Sequence, residues 1–170
     1  MLTIRRSTVN DIPAMMSLYA AAKRTMRADG NMEQWNGPYP SESNALNDIE
    51  KGFSYIVEND GVPAGTFAFI PGVEPTYDKI FDGSWIDDVS PYATIHRIAG
   101  DPECHGIAYA CFDWCRKRCQ EGGPDGKQWS LRVDTHKDNH IMQHVVERFG
   151  FTYCGIIYLA DGSPRLAYQK

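Results

Sequence analysis

The chain lacks long hydrophobic runs. Its longest stretch free of polar residues and glycine is Ile107 to Phe112, far short of the ~20 apolar residues that a membrane-spanning helix needs. It also lacks positive charge. Seventeen Lys and Arg stand against 22 Asp and Glu, for a formal net charge of −5. Non-specific nucleic-acid binding needs a basic face, and an anionic membrane surface would repel an acidic protein, so neither is an expected partner. An acidic protein can still hold one anion at a helix N-terminus. No apolar segment follows Arg5 and Arg6, so nothing reads as a secretory signal. Cysteine is scarce and odd in number, with five in 170 residues. Cys111, Cys115 and Cys119 recur at i, i+4, i+8 within one helical pattern, a stripe of small buried hydrophobes. Free thiols point to a reducing compartment, and the expected location is cytoplasmic.

What is present is ordinary for a folded domain: 42% apolar and 23% charged residues. A chain of this length buries roughly 68–70% of its unfolded surface, so a core is expected without disulfides or metal. No repeat, linker or low-complexity segment interrupts it. Residues 1–170 read as one domain.

Leu2–Arg6 reads as a strand. A helix is expected from Asn10 to Ala28, capped by Asn10, with Pro13 in its first turn and Ile12, Met15, Met16, Tyr19 and Met26 on one face. Ser41-Glu42-Ser43 caps a second helix through Lys51. Strands Phe53–Glu58 and Val62–Ile70 flank Asn59-Asp60-Gly61, whose residues tolerate the positive φ of a hairpin turn. Pro71–Tyr92 is irregular and carries Tyr77, Phe81 and Trp85. Such aromatics either line a site or pack the loop on itself. Thr94–Ala99 is a strand, and Gly106–Gln120 a helix apolar on nearly all sides in its first half. Gln128–Asp134 is a strand with Trp129, Leu131 and Val133 on one face and Ser130, Arg132 and Asp134 on the other. Asp138–Phe149 is a helix, with Asp138 as its natural cap. Phe151–Leu159 and Leu166–Gln169 close the chain around a turn at Asp161-Gly162. The strand–helix–strand unit from Thr94 to Asp134 demands a parallel pair, and the hairpins demand antiparallel ones. The fold class is therefore α/β in the mixed α+β sense: a mostly antiparallel sheet with a parallel central pair and helices on both faces.

Glu103-Cys104-His105-Gly106-Ile107-Ala108 lies between a strand and a buried helix. Glycine lets a ligand approach the backbone, and the amides at a helix start point outward. That suits a pyrophosphate, and a plain tight turn accounts for the segment equally well. Here the chain resembles the GNAT family of N-acetyltransferases, whose acetyl-CoA loop reads Gln/Arg-x-x-Gly-x-Gly/Ala after the fourth strand. The counterpart is Glu103-x-x-Gly106-x-Ala108. The resemblance spans about residues 2 to 169. It includes the strand–helix–helix start, Asn139 at the head of the last helix, and Arg148-Phe149-Gly150-Phe151. It implies that the parallel pair splays, with acetyl-CoA (coenzyme A) as co-substrate and no metal. The pantetheine arm would pair with backbone at Ile98, Ala99 and Gly100. The amides of Cys104, His105, Gly106, Ile107 and Ala108 would hold the pyrophosphate, with Asn139 also in the cofactor site. The implied reaction is transfer of an acetyl group to a primary amine, on a small molecule or a peptide, by direct attack on the thioester. Family members are often homodimers, which extends here by analogy. The chain departs from the family at Glu103, in a short Pro102–Ala108 stretch without Lys or Arg, and at Val146, where the family often has Tyr. These departures favour the rival reading, an acyl-CoA-binding module of this fold without turnover.

The candidate catalytic residues follow. His96 is on the fourth strand, where some relatives that acetylate aromatic amines place a catalytic His, and an unperturbed pKa of about 6.5 suits a general base. A structural histidine is the alternative. His136 or Asp134, at the end of the fifth strand, can also contribute. His140 and His144 at i, i+4 could share a metal, the basis of a second rival, a metal-dependent hydrolase. The missing general acid has Tyr153, Tyr158 or a water as substitutes. Trp35, Tyr39 and Trp85, with Asp82, Asp87 and Asp88, would suit a cationic amine with an apolar body. A dimer contact or lid would use the same loops. Cys104 at a helix start could form a mixed disulfide with CoA as a side reaction. Arg116-Lys117-Arg118 fits a helix C-terminus, with the CoA 3′-phosphate as the minor alternative.

Overall fold

Asp60 (φ 50°) and Gly61 (φ 83°) form the two-residue turn that the Asn59-Asp60-Gly61 spacing predicts, with Asn59 paired to Val62 across it. Both turn residues take the left-handed conformation that this hairpin type requires. The computed structural model describes residues 1–122 and 126–170. Its strands are β1 (Leu2–Arg6), β2 (Ser54–Asn59), β3 (Val62–Pro71), β4 (Tyr92–Gly100), β5 (Ser130–Thr135), β6 (Thr152–Tyr158) and β7 (Pro164–Gln169). Its helices are α1 (Ile12–Ala28), α2 (Glu42–Glu50), α3 (Ile107–Glu121) and α4 (His140–Arg148). The sheet order is β1-β2-β3-β4-β5-β7-β6. β4 and β5 run parallel from Tyr92↔Ser130 to Thr94↔Arg132, and the β1–β2, β2–β3, β5–β7 and β6–β7 pairs are antiparallel. This is the expected mixed fold class.

The chain forms two compact units, Met1–Phe69 with His96–Trp114, and Ile70–Ile95 with Cys115–Lys170. In the first, Ile12, Met15, Leu18 and Tyr19 of α1 pack with Ala45, Ile56 and Ala99. The apolar spacing of α1 predicts most of that face. Its start differs from expectation: Asn10 lies in a 3-10 turn over Val9–Asp11, and α1 begins at Ile12. Asp11 dictates this, because its carboxylate accepts the Thr8 amide at 2.7 Å and both terminal nitrogens of Arg5 at 2.8 Å. Arg5 also donates to Glu58 at 2.7 Å. Trp114 of α3 closes the core against Tyr55, Phe67 and Phe69, with centroids 4.4, 5.7 and 5.8 Å away. α3 is not buried all round at its start, since Tyr109 is 62% exposed. Two glycines seat this helix on the strands. A Cβ on Gly65 would lie 2.5 Å from Ile107 Cγ2, and one on Gly100 3.0 Å from it.

In the second unit, Tyr77, Trp85, Tyr92, Cys154, Ile157 and Ala167 form the core. The irregular 71–91 segment thus packs its own aromatics. Phe81 exchanges both backbone bonds with Ile156 at 2.8 Å, and Gly83 and Gly155 permit the approach. Arg132 corrects the expectation of a polar face on β5. It is 3% exposed, with its guanidinium 4.0 Å from the Trp85 ring centre and 3.9 Å from that of Tyr92. The cysteine stripe is buried as expected, and burial pushes the Cys119 thiol up to about 12.

Candidate active site

The site is built from the β4–α3 junction outward. Asp101 organises the turn: its amide donates to Ala64 O (2.8 Å), its carboxylate accepts the Glu103 amide (2.9 Å), and its carbonyl accepts the Cys104 amide (3.0 Å). The Cys104 amide is therefore engaged within the turn. Gly106 takes φ +85°, and a Cβ there would meet only Leu2 Cδ1, at 3.9 Å. Its carbonyl accepts the Ala110 amide at 2.9 Å to start α3. The first-turn amides of a helix, here at Ile107 and Ala108, have no intrahelical acceptor. Together with the macrodipole they suit a phosphate. The exposed Glu103 carboxylate works against it. Ile107 turns its side chain into the core, leaving its backbone for this role. Upstream, Ile98 and Gly100 are half-buried and Ala99 is buried.

His96 is half-buried on β4. The next residue is one that sequence reading missed. Arg97 has φ +54° in mid-strand. Its Nε donates to Asp48 Oδ2 at 2.7 Å and its Nη2 to Asp48 Oδ1 at 2.8 Å, while Nη1 donates to the Tyr39 hydroxyl at 3.0 Å. Burial alone would lower the Arg97 pKa; Tyr39 and Asp48 outweigh it, and the net direction is upward. Trp35 stands edge-on to both Tyr19 (5.9 Å) and Tyr39 (6.2 Å). Two of the three expected acceptor-wall aromatics, Trp35 and Tyr39, are thus brought together. The third, Trp85, is 9% exposed in the core of its own unit, with its indole N–H donating to Tyr77 O at 3.0 Å. Its placement there is one of packing.

In the second unit, the cap of α4 is Asn139 rather than Asp138: its side-chain oxygen accepts the Met142 amide at 3.0 Å. Asp138 instead donates its amide to His136 Nδ1 at 3.2 Å. In that bond Nδ1 of the buried His136 is the acceptor, and the Asp138 carboxylate lies 3.6 Å from the same nitrogen. Asp134 accepts the Tyr77 hydroxyl at 2.6 Å. Tyr153 is 48% exposed and edge-on to Tyr168 at 5.7 Å. Tyr158 packs edge-on to Phe81 at 5.2 Å. Val146, at the position where the family often has Tyr, is wholly buried. Among the described residues, no three His, Cys, Asp or Glu side chains converge as metal ligands, and no helix is long and apolar enough to cross a membrane.

A sequence model of the acetyltransferase (GNAT) family matches residues 13–151. No curated protein matches in sequence. A GNAT-family acetyltransferase structure from Streptococcus agalactiae is similar over 99% of this chain and 94% of its own, at 35% identity and TM-score 0.85. One from Listeria monocytogenes covers 99% and 94% at 20% identity and TM-score 0.70. The ribosomal-protein-S18-alanine N-acetyltransferase from Escherichia coli covers 99% and 92% at 17% identity and TM-score 0.59. The last two share the fold.

Proposed function

We propose, from the premise that this chain belongs to the GNAT acetyltransferase family, that it transfers an acetyl group from acetyl-CoA to a primary amine. The observation that carries the reading is the β4–α3 junction, where a left-handed Gly106 opens a helix start in front of half-buried strand backbone. A donor set of amides without a metal or lysine fits a pyrophosphate held by dipole and hydrogen bonds. Backbone at Ile98, Ala99 and Gly100 would bind the pantetheine amides, and the amides from His105 to Ala108 the phosphates. Asn139 is a further proposed cofactor-binding residue.

In the reaction, the amine nitrogen forms a bond to the thioester carbonyl carbon and the carbon–sulfur bond breaks. His96 is the proposed base that takes the proton lost by the ammonium. His136 and the exposed Tyr153 are the proposed donors to the departing thiolate. Trp35 and Tyr39 form the proposed acceptor wall.

Thermal-shift titration with acetyl-CoA, CoA and a metal series tests the cofactor. Ligand that binds only the folded state stabilises it by about 2.7 kcal/mol at roughly 100 times its Kd. A rise with acetyl-CoA and none with metals supports the reading; no rise at millimolar acetyl-CoA overturns it. Saturable binding without CoA release across an amine panel would instead identify an acyl-CoA-binding module, the reading that the buried Val146 favours.

A further inference from the structure

Four non-glycine residues take a left-handed backbone among the described residues: Trp35, Asp60, Asp82 and Arg97. Aspartate tolerates that conformation in turns. Tryptophan and arginine do not, and such strain persists only where the surroundings over-determine it, often at functional sites. Both strained residues, Trp35 at φ 56° and Arg97 at φ 54°, hold the same side chain. Arg97 reaches the Tyr39 hydroxyl at 3.0 Å, and Trp35 lies edge-on to the Tyr39 ring at 75°. Asp48, buried in α2, takes Arg97 in a two-pronged grip. The guanidinium is thereby neutralised and fixed. Tyr39 itself is 39% exposed.

The chemistry of that hydroxyl is directional. It accepts from Arg97, so its own proton is left to donate away from the guanidinium. Asp48 and Arg97 cancel each other, so this pair offers an incoming molecule no net charge. The face offers one oriented O–H donor beside the rings of Trp35 and Tyr39. We infer that Tyr39 is a specificity-determining residue, with Arg97 as its positioning residue. The acceptor amine carries a carbonyl oxygen on the adjacent carbon, as in an amino-acid amide or a peptide N-terminus, rather than being a plain alkyl amine or polyamine. This rests on the acetyl-transfer reading and deepens it.

The test compares phenylalaninamide with phenethylamine, which lacks only the carboxamide. Their affinities are measured by calorimetry, with and without saturating CoA, on the wild type, Tyr39→Phe and Arg97→Lys. The ratio of the two affinities, compared between proteins, cancels the different basicities of the amines. A site built to hydrogen-bond a substrate group discriminates strongly against the analogue without it, so the amide-to-amine ratio falls about tenfold in Tyr39→Phe. It falls in Arg97→Lys as well, because an ammonium cannot hold Asp48 with a fork and Tyr39 at once. An unchanged ratio in Tyr39→Phe overturns the inference, as does a wild type that binds neither probe. A tripeptide with N-terminal phenylalanine separates the two sources: tighter binding than the amide assigns a peptide N-terminus, weaker binding a small amino-acid derivative. The acetyl-CoA melting shift of each variant reports folding and cofactor binding separately. Its loss in the wild type sinks acetyl transfer while the acceptor ratio is still read without CoA.

Discussion

Each unit of the molecule holds an arginine beside aromatic side chains, and the two are held in opposite ways. Arg132 lies between Trp85 and Tyr92 on a regular strand, bonded to a backbone carbonyl, Asp87 O, at 2.8 Å, with no partner on its Nε. Burial pushes its pKa down. Arg97 sits on a strained backbone, gripped by a buried carboxylate, and holds an exposed phenol. A cation sandwiched between rings fastens a loop to a strand. A fixed charge pair under an exposed hydroxyl orients a surface group. Trp85 belongs to the first kind, and the proposed acceptor-wall residues Trp35 and Tyr39 stand beside the second.

The largest expected effect breaks the charged cluster. Arg97→Ala strands Asp48 in the interior and costs about 3–5 kcal/mol of stability. The double variant Arg97→Met with Asp48→Leu recovers most of that. Arg132→Ala, which leaves no orphaned carboxylate, costs about 2–4 kcal/mol through lost packing and cation–π contact. Urea denaturation orders the three. A double variant no more stable than Arg97→Ala would show that an orphaned Asp48 is not what destabilises this region.

Glycines sharpen the same contrast. Gly65→Ala forces Ile107 aside, and overpacking costs about 1–3 kcal/mol. The shift of the α3 start also weakens acetyl-CoA binding. Gly83→Ala drives a methyl into the Cys154 carbonyl in the second unit and lowers stability while the acetyl-CoA affinity of the remaining folded protein holds. Equal losses of affinity would contradict the placement of the anion cradle.

The first unit also carries the acid sensitivity of the Arg5–Asp11 pair. The Arg5 hydrogen bond, ahead of the others, holds the Asp11 carboxyl down to about 2 from 3.8. The folded value lies below the unfolded one, so this stabilisation is complete above the unfolded value and is lost as pH falls from about 4 to about 2. Asp11→Asn removes that part of the slope. An unchanged stability–pH curve across the window would contradict the pairing. The smallest effect is at the junction itself. Glu103→Gln removes an exposed carboxylate near the proposed phosphate site and tightens acetyl-CoA by about two- to fivefold at low salt, less at high salt.

Much of the fold was legible from turn chemistry and apolar spacing. Asp60-Gly61, the Ser41 cap of α2 and the buried cysteine stripe stand where the residues place them. The strand–helix–strand pattern specifies the parallel β4–β5 pair. The misses share a cause: tertiary partners override local pattern. Asn10 loses the cap because Arg5 and Thr8 claim Asp11. Arg132 looks like a surface residue until two rings enclose it. Nothing in Ile95-His96-Arg97-Ile98 marks a left-handed residue, since glycine, the usual signal, is absent. Arg97's side-chain partners, Asp48 and Tyr39, are far away in sequence. The Gly106 loop was legible because its requirement is local, a positive φ at a helix start.

The most direct test of the central claim is CoA-thiol release from acetyl-CoA across a panel of primary amines, with the products weighed by mass spectrometry. The account predicts CoA release matched one-to-one by an N-acetylated amine, saturable in both substrates. Saturable acetyl-CoA binding with no release above the amine-free rate for any member of the panel would contradict it.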